Sequence, residues 1–203
     1  MKFVVSLVAA LFAAPLGADD VVESVGSETT DAFVATANAA CLSLAVGSSS
    51  LSSVSAEEDQ KVIESFGLTY GVNREIYDRF GVQGSGILNR AVMGNRKAGA
   101  DAIVLAVGGA LPGCKVVLLS EDQEGLPDRI DASLATADPA WRELPFADSR
   151  PGSSVTKKSY FLRGEAGDPF ILNLIMPTVP DSDIRLLATI NRIPPDVEIP
   201  EGY

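Results

Sequence analysis

Residues 102–119 read AIVLAVGGALPGCKVVLL, and this stretch decides the fold. Its two continuous apolar runs, 102–107 and 115–119, are rich in β-branched residues, which is typical of strands that are covered on both faces. Between them, residues 111–114 (LPGC) fit a type II turn, because proline presets the first dihedral angle and glycine accepts the positive φ that follows. The stretch therefore predicts a buried hairpin with Cys114 at the start of its second strand.

A phosphate-binding loop is the alternative interpretation of the same glycine-rich segment. The Walker pattern needs a glycine, four residues, a second glycine, and then lysine and a hydroxyl residue at a helix start. Here Cys114 intervenes before Lys115, Val116 replaces the hydroxyl residue, and a strand follows. We therefore favour the hairpin turn.

Cys114 has one possible partner, because the chain contains two cysteines. The other is Cys41, in a segment from Thr30 or Asp31 to Gly47 that we predict to be a helix. Apolar residues recur on one stripe of this segment: Phe33, Ala37, Cys41 and Leu44. An even cysteine count in an exported chain predicts a Cys41–Cys114 disulfide, worth on the order of 4 kcal/mol for a loop of about 70 residues. Two separate buried thiols are the alternative.

The N-terminus has the order of a secretory signal peptide. A lysine precedes an apolar run over residues 3–14, and small residues follow before Asp19. We expect cleavage after Ala18 and a periplasmic or secreted protein; a buried N-terminal helix is the alternative. The apolar run is shorter than the about 20 residues of a spanning helix. No later stretch is long enough by sequence, so we expect no membrane span after cleavage.

Helix and strand signals follow one another along the rest of the chain. Ser55 and Glu58 form a capping box for a helix that ends near Gly67, and Leu126-Pro127 begins another. Residues 68–101 are ambiguous: a short helix fits Ile76 and Phe80, and residues 87–93 are assigned to a strand. Three later segments alternate with period two, separated by short loops, and predict an antiparallel meander: 158–164, 169–176 and 184–193. The last segment also fits helical spacing, through Ile184, Leu187, Ala188 and Asn191.

Segregated helices and strands predict an α+β fold. We expect an antiparallel sheet of about five to six strands, with two or three helices packed on one face. Residues 1–18 are the signal peptide and 19–29 a flexible lead-in. Residues 30–193 form a single globular domain, and 194–203 form an extended proline-rich tail.

The residue inventory excludes several functions. Removing residues 1–18 takes away one lysine and changes the net charge from −11 to −12, which disfavours nucleic acid as a partner. The chain has no histidine, so histidine-dependent catalytic triads and histidine-ligated metals are excluded. Two cysteines alone leave the usual zinc ligand set incomplete. We therefore expect neither a metal nor a cofactor.

Catalysis by aspartate and glutamate side chains is still possible after these exclusions. Two acidic pairs, Glu57 with Glu58 and Asp181 with Asp183, have the residue types that glycoside hydrolysis requires. Acids at a helix start or in a turn also have a purely structural explanation, which we favour. A carboxylate-dependent hydrolase acting on a polysaccharide is therefore the alternative function.

The leading functional hypothesis is non-catalytic binding of a protein or another cell-envelope component. It depends on the export signal and on the lack of a convergent catalytic set, and it assigns no catalytic residue. The aromatic residues Trp141 and Tyr160 are the candidates for a surface that stacks on a ligand, although a single tryptophan is more often part of a core.

The disulfide prediction is checked by the intact mass of the mature protein under non-reducing conditions. We expect a mass two hydrogens below that of the dithiol, restored by reduction, because oxidation of two thiols to a disulfide removes two protons and two electrons. Two thiols that react with an alkylating agent in the oxidised protein would contradict the pairing.

Overall fold

The computed structural model describes residues 28–47, 51, 55–88, 90–98, 101–108, 113–120, 124–145, 153–164, 167–179 and 181–199. The predicted signal peptide and the end of the tail lie outside these residues. Four helices and one eight-stranded sheet are described. The helices are α1 (Glu28–Val46), α2 (Ala56–Ser65), α3 (Arg74–Leu88) and α4 (Leu126–Thr136). The strands are β1 (Thr69–Tyr70), β2 (Ala91–Ala98), β3 (Asp101–Gly108), β4 (Cys114–Leu119), β5 (Arg142–Glu143), β6 (Val155–Arg163), β7 (Pro169–Pro177) and β8 (Ile184–Arg192).

The sheet is antiparallel throughout and has the order β1-β2-β3-β4-β8-β7-β6-β5. Its two four-stranded halves meet where β4 pairs with β8, with Val116 opposite Ala188. The α+β class is confirmed, but the expected number of five to six strands is wrong because eight are present. The edge strands β1 and β5 are two residues long, too short to show any periodicity in the sequence.

The central hairpin is present as expected. All six residues of β4 are buried, and five consecutive residues of β3 are buried as well. The Gly108 amide donates to the Gly113 carbonyl at 2.9 Å, and Gly113 has a φ of 96°, the positive value that a type II turn requires at that position. Leu111 and Pro112 of the predicted turn lie outside the described part of the chain.

The Cys41–Cys114 disulfide is confirmed, with a Cα–Cα distance of 5.3 Å across a sequence separation of 73. It joins α1 to the first residue of β4. Within α1, Ala37–Leu42 forms a π-helical segment, and the helix ends where Gly47 adopts a φ of 77°. The predicted helix is therefore confirmed, but it already includes Glu28 and Thr29, which were assigned to the flexible lead-in; the other residues of that lead-in, 19–27, lie outside the described part of the chain.

By length and composition, α1 meets the criterion for a membrane-spanning helix. It has 19 residues and a mean hydropathy of 1.2, and 44% of the apolar window is buried inside the molecule. We expected no such segment after residue 18, because the sequence pattern started the helix later and gave it fewer residues. A core helix satisfies the same criterion, and α1 buries its inner face against β4 and β8.

Helices pack on both faces of the sheet, which corrects the expectation of one covered face. On the first face, α1, α2 and α4 share a core with Leu105, Val116 and Leu118. On the opposite face, α3 packs Ile76 and Ile87 against the alternate residues of β3 and β4. Both central strands are apolar at consecutive positions, so both of their faces need cover.

The capping signal in the sequence predicts the start of α2 correctly, whereas the end of α3 was not predicted. Ser55 caps α2 and accepts a hydrogen bond from the Glu58 amide at 3.4 Å, as the capping box predicts. The strand predicted over residues 87–93 is partly wrong, because α3 continues to Leu88. Arg90 then takes a φ of 60°, and β2 begins one residue later.

Helix α2 approaches β2 closely at Gly94, which predicts a packing penalty for any side chain there. A Cβ atom at Gly94 would clash with Ile63 Cγ2 and lie 3.2 Å from Leu68 Cβ. Gly94→Ala is expected to lower the free energy of unfolding by about 1–3 kcal/mol, the usual cost of overpacking. Denaturant unfolding with the disulfide intact measures this.

Gly86→Ala is the matched control, because nothing lies within 4 Å of the added Cβ and the residue is helical and exposed. This change is expected to be neutral or to stabilise by up to about 1 kcal/mol, the helix propensity difference between the two residues. Equal destabilisation by both changes would contradict the close approach of α2 to β2.

Candidate binding groove along helix α1

Two adjoining cavities form one groove on the outer side of α1. Their volumes are about 530 and 600 Å³, and they share Asn38, Asp138 and Pro139. One lies between α1 and the C-terminal part of α4. The other lies between α1 and the turn that connects β6 to β7. We call the joined cavities the α1 groove.

The floor of the α1 groove is a stripe of small and apolar side chains on α1. Ala35, Ala39 and Val46 are exposed, and Leu42 is half-buried. They recur at three or four residues, so they share one face of the helix. From Asp31 to Val46 this face runs for roughly 20 Å at about 1.5 Å per residue.

The walls of the α1 groove are held in place by Trp141. Its indole Nε1 donates to Asn38 Oδ1 at 2.8 Å, at the point that the two cavities share. Its backbone amide donates to the Leu134 carbonyl at 3.1 Å, which ties the wall to α4. Asn38 is a polar residue in an otherwise apolar part of α1, and this hydrogen bond satisfies its side-chain oxygen.

The π-helical segment connects the α1 groove to the disulfide. Ala37–Leu42 contains Cys41 on its buried side and Asn38 and Leu42 on the groove side. A π-helical turn changes the angular position of the residues that follow, and such segments are frequent at functional sites. The same π-helical segment therefore carries both part of the groove floor and the disulfide-bonded Cys41.

The rim of the α1 groove is mainly acidic. Three carboxylates line it, those of Asp31, Asp138 and Asp168, together with the guanidinium of Arg163. Asp31 accepts a hydrogen bond from Ser133 Oγ at 2.6 Å, and Asp168 forms an ion pair with Arg192. The groove thus combines an apolar floor with a negative rim.

A second polar cluster ties α4 to the edge of the sheet. Asp131 accepts from the Tyr160 hydroxyl, and its other oxygen lies 2.5 Å from Lys158 Nζ. Glu143 Oε1 lies 3.9 Å from the same ammonium group. Burial, reinforced by the hydrogen bond to Asp131, raises the pKa of Tyr160 well above its usual value.

The structure buries both aromatic candidates from the sequence. Trp141 is 4% exposed and Tyr160 is 3% exposed, so neither presents an open ring face to solvent. Trp141 contributes to the α1 groove indirectly, through its hydrogen bond to the lining residue Asn38, whereas Tyr160 belongs to the cluster around Asp131. That either ring contacts a ligand stays a prediction.

One member of each acidic pair from the sequence forms an ion pair. Glu57 lies in the first turn of α2 and forms an ion pair with Lys61 at 2.9 Å. Asp183 pairs with Arg79 of α3 at 3.2 Å. The structure instead brings Asp131 and Glu143 together around one ammonium group, and neither of them lines any of the five described cavities.

Comparisons with known proteins supply no relative. No family model matches the chain, and neither the curated proteins nor the solved structures contain a significant match. Among the residues that the structure describes, no group of three acidic or cysteine side chains is placed to hold a metal ion. The function is therefore argued from the α1 groove itself.

Tyr160 predicts a specific pH dependence of stability. Its pKa in the folded protein is above that in the unfolded chain, which is about 10. Above that pH the unfolded chain loses a proton that the folded protein retains, so this residue lowers stability as the pH rises, by up to about 1.4 kcal/mol per pH unit. Tyr160→Phe is expected to remove this contribution.

The ultraviolet absorbance of tyrosinate measures the same property directly. When the pH of the folded protein is raised from neutral to about 11, the rise in tyrosinate absorbance should be the same in Tyr160→Phe as in the unchanged protein, because the raised pKa keeps Tyr160 protonated. In denaturant the same variant should lose the signal of one of the four tyrosines. Loss of one tyrosinate in the folded protein would show that the hydroxyl ionises normally.

Proposed function

We propose that this chain is an exported, non-catalytic binding protein that holds a segment of a protein partner in the α1 groove. The observation that carries the proposal is an open groove, roughly 20 Å long by helix geometry, with an apolar floor on a helix that is covalently fixed to the sheet. The disulfide and the predicted signal peptide support a periplasmic or secreted location.

The dimensions of the groove favour a peptide segment as the occupant. A length of roughly 20 Å accommodates about four helical turns or about six extended residues. Helices that lie in grooves are recognised through apolar side chains spaced three and four residues apart, and the floor stripe of α1 offers the complementary spacing. The contacts of Trp141 and Cys41 preorganise this surface, which reduces the entropy cost of binding.

The charge of the rim favours a basic partner. Among the described lining residues, Asp31, Asp138 and Asp168 outnumber the guanidinium of Arg163 even though Asp168 is paired with Arg192, and the whole chain carries a net charge of −11. Complementary charge steers association and selects among partners. We therefore propose an amphipathic segment with apolar residues on one side and lysine or arginine at its margins.

The same geometry supports binding over glycoside hydrolysis. A hydrolase needs an acid and a nucleophile or base on either side of the scissile bond. In the α1 groove, Asp31 is engaged with Ser133, Asp168 is engaged with Arg192, and Asp138 is exposed. The close pair Asp131 and Glu143 is joined through Lys158, away from the described cavities. Polysaccharide hydrolysis remains an outcome that the experiment must distinguish.

Binding of a designed amphipathic peptide of leucine and lysine tests this function. The mature protein is expected to bind this peptide more tightly than the same peptide with glutamate in place of lysine. Ala39→Arg should weaken binding by about tenfold or more, roughly 1.4 kcal/mol, because it fills the floor and places a like charge against the peptide. Fluorescence anisotropy measures both affinities.

Gln60→Arg is the matched control, since it adds the same charge at an exposed position of α2 outside the groove. A photo-crosslinking residue at Ala39, but not at Gln60, should also yield a protein adduct in the cells that produce the chain. Equal loss of peptide binding in both variants would contradict the site. If the protein hydrolyses a glycan and Asp138→Asn abolishes that turnover, hydrolysis replaces binding as the function of the groove.

A further inference from the structure

A third cavity lies on the other side of α4, between its first turn and the ends of β6, β7 and β8. Its volume is about 340 Å³, and eight residues line it: Leu126, Pro127, Thr156, Lys158, Met176, Pro177, Thr178 and Arg185. We infer that this cavity binds a small amphiphilic anion, a carboxylate or phosphate group on a short hydrocarbon body. This site is separate from the α1 groove and does not depend on the function proposed for it.

The charge of this lining differs from that of the other described cavities. Among the residues that the structure describes, this lining contains two cations, Lys158 and Arg185, and no carboxylate. Three of the other four cavities are lined by aspartate, and the fourth has Arg192 as its one charged residue. In a chain with a net charge of −11, the guanidinium of Arg185 gives this lining a positive charge that favours an anion, and Lys158 adds a second cationic group in the same lining.

A β-bulge places Arg185 at this cavity. The register between β4 and β8 shifts there, because Leu118 pairs with Leu186 while Leu119 pairs with Ile184. Arg185 is the additional residue on β8, and bulges commonly redirect a side chain next to a binding site. Arg185 is 8% exposed, and its Nε donates to the Ser120 carbonyl at 2.8 Å. That contact fixes the guanidinium plane, which suits bidentate recognition of a carboxylate or phosphate.

Lys158 supplies the second positive group. Its ammonium is positioned by Asp131 of α4 and Glu143 of β5, at 2.5 and 3.9 Å, and neither carboxylate belongs to the cavity lining. Because these neighbours offset part of its charge, Arg185 is the main anchor and Lys158 the supporting one. The first turn of α4, beginning at Leu126, adds a partial positive charge of the same sense.

The rest of the lining defines the neutral part of the ligand. Leu126, Pro127, Met176 and Pro177 give apolar contact surface, and the hydroxyls of Thr156 and Thr178 lie in the same lining. Small-molecule sites typically combine such an apolar wall with a few polar groups that fix orientation. A short acyl or alkyl chain on the anion matches this composition.

Calorimetric titration of the mature protein with hexanoate and with hexyl phosphate tests the inference. At least one anion is expected to bind saturably, while hexylamine and hexanol bind far more weakly. Lys158→Met should weaken anion binding by about tenfold. Lys157→Met is the matched control. It removes the same charge from the neighbouring lysine, which is exposed and lies outside the cavity lining.

Arg185→Gln should abolish anion binding. Because this residue is buried and can be required for folding, Thr156→Val provides a second variant at the half-buried wall, with a smaller expected loss. Binding of hexanoate alone identifies a carboxylate ligand, binding of hexyl phosphate alone identifies a phosphate ligand, and binding of both supports the shared anion site. The inference is overturned if neither anion binds, if hexylamine binds equally well, or if Lys157→Met and Lys158→Met weaken binding to the same extent.

Discussion

The bond between Cys41 and Cys114 is the constraint on which the arrangement of this molecule depends. It attaches α1 to β4, the strand through which the two halves of the sheet meet. Without it, α1 would be held by non-covalent contacts, which are apolar packing and the hydrogen bonds of Asn38 and Asp31, and a mainly apolar helix has other surfaces on which to pack. Closing a loop of this length also removes entropy from the unfolded chain. The covalent contact therefore determines both where α1 lies and which of its faces remains open.

Much of the fold follows from local signals in the sequence. The hairpin, the capped α2 and the three long C-terminal strands are encoded within short windows of residues, and the disulfide follows from the presence of two cysteines in the chain. The two-residue strands β1 and β5 are not encoded in this way, because their pairing is stabilised only by the longer strands beside them. A short helix around Ile76 was expected, but the full length of α3 and its place on the second face were not, although the consecutive apolar residues of β3 and β4 already required cover on both faces.

The candidate sites were less predictable than the fold because each is made by residues far apart in sequence. Asn38 and Trp141 meet across 103 positions, and Lys158 and Asp131 across 27. The one local clue to the α1 groove was a polar Asn38 in an apolar helix, which needs a hydrogen-bond partner when packed. Arg185 gave no such clue, since a bulge depends on the register between two strands and not on the sequence of one.

The short outer strands have a consequence for how the protein behaves at high concentration. β1 and β5 end the sheet with two residues each, and charged Lys97 and Lys157 lie on the long strands next to them. Brief outer strands and nearby lysines both hinder the addition of a foreign strand, the first step towards cross-β fibres. Self-association by sheet extension is therefore disfavoured.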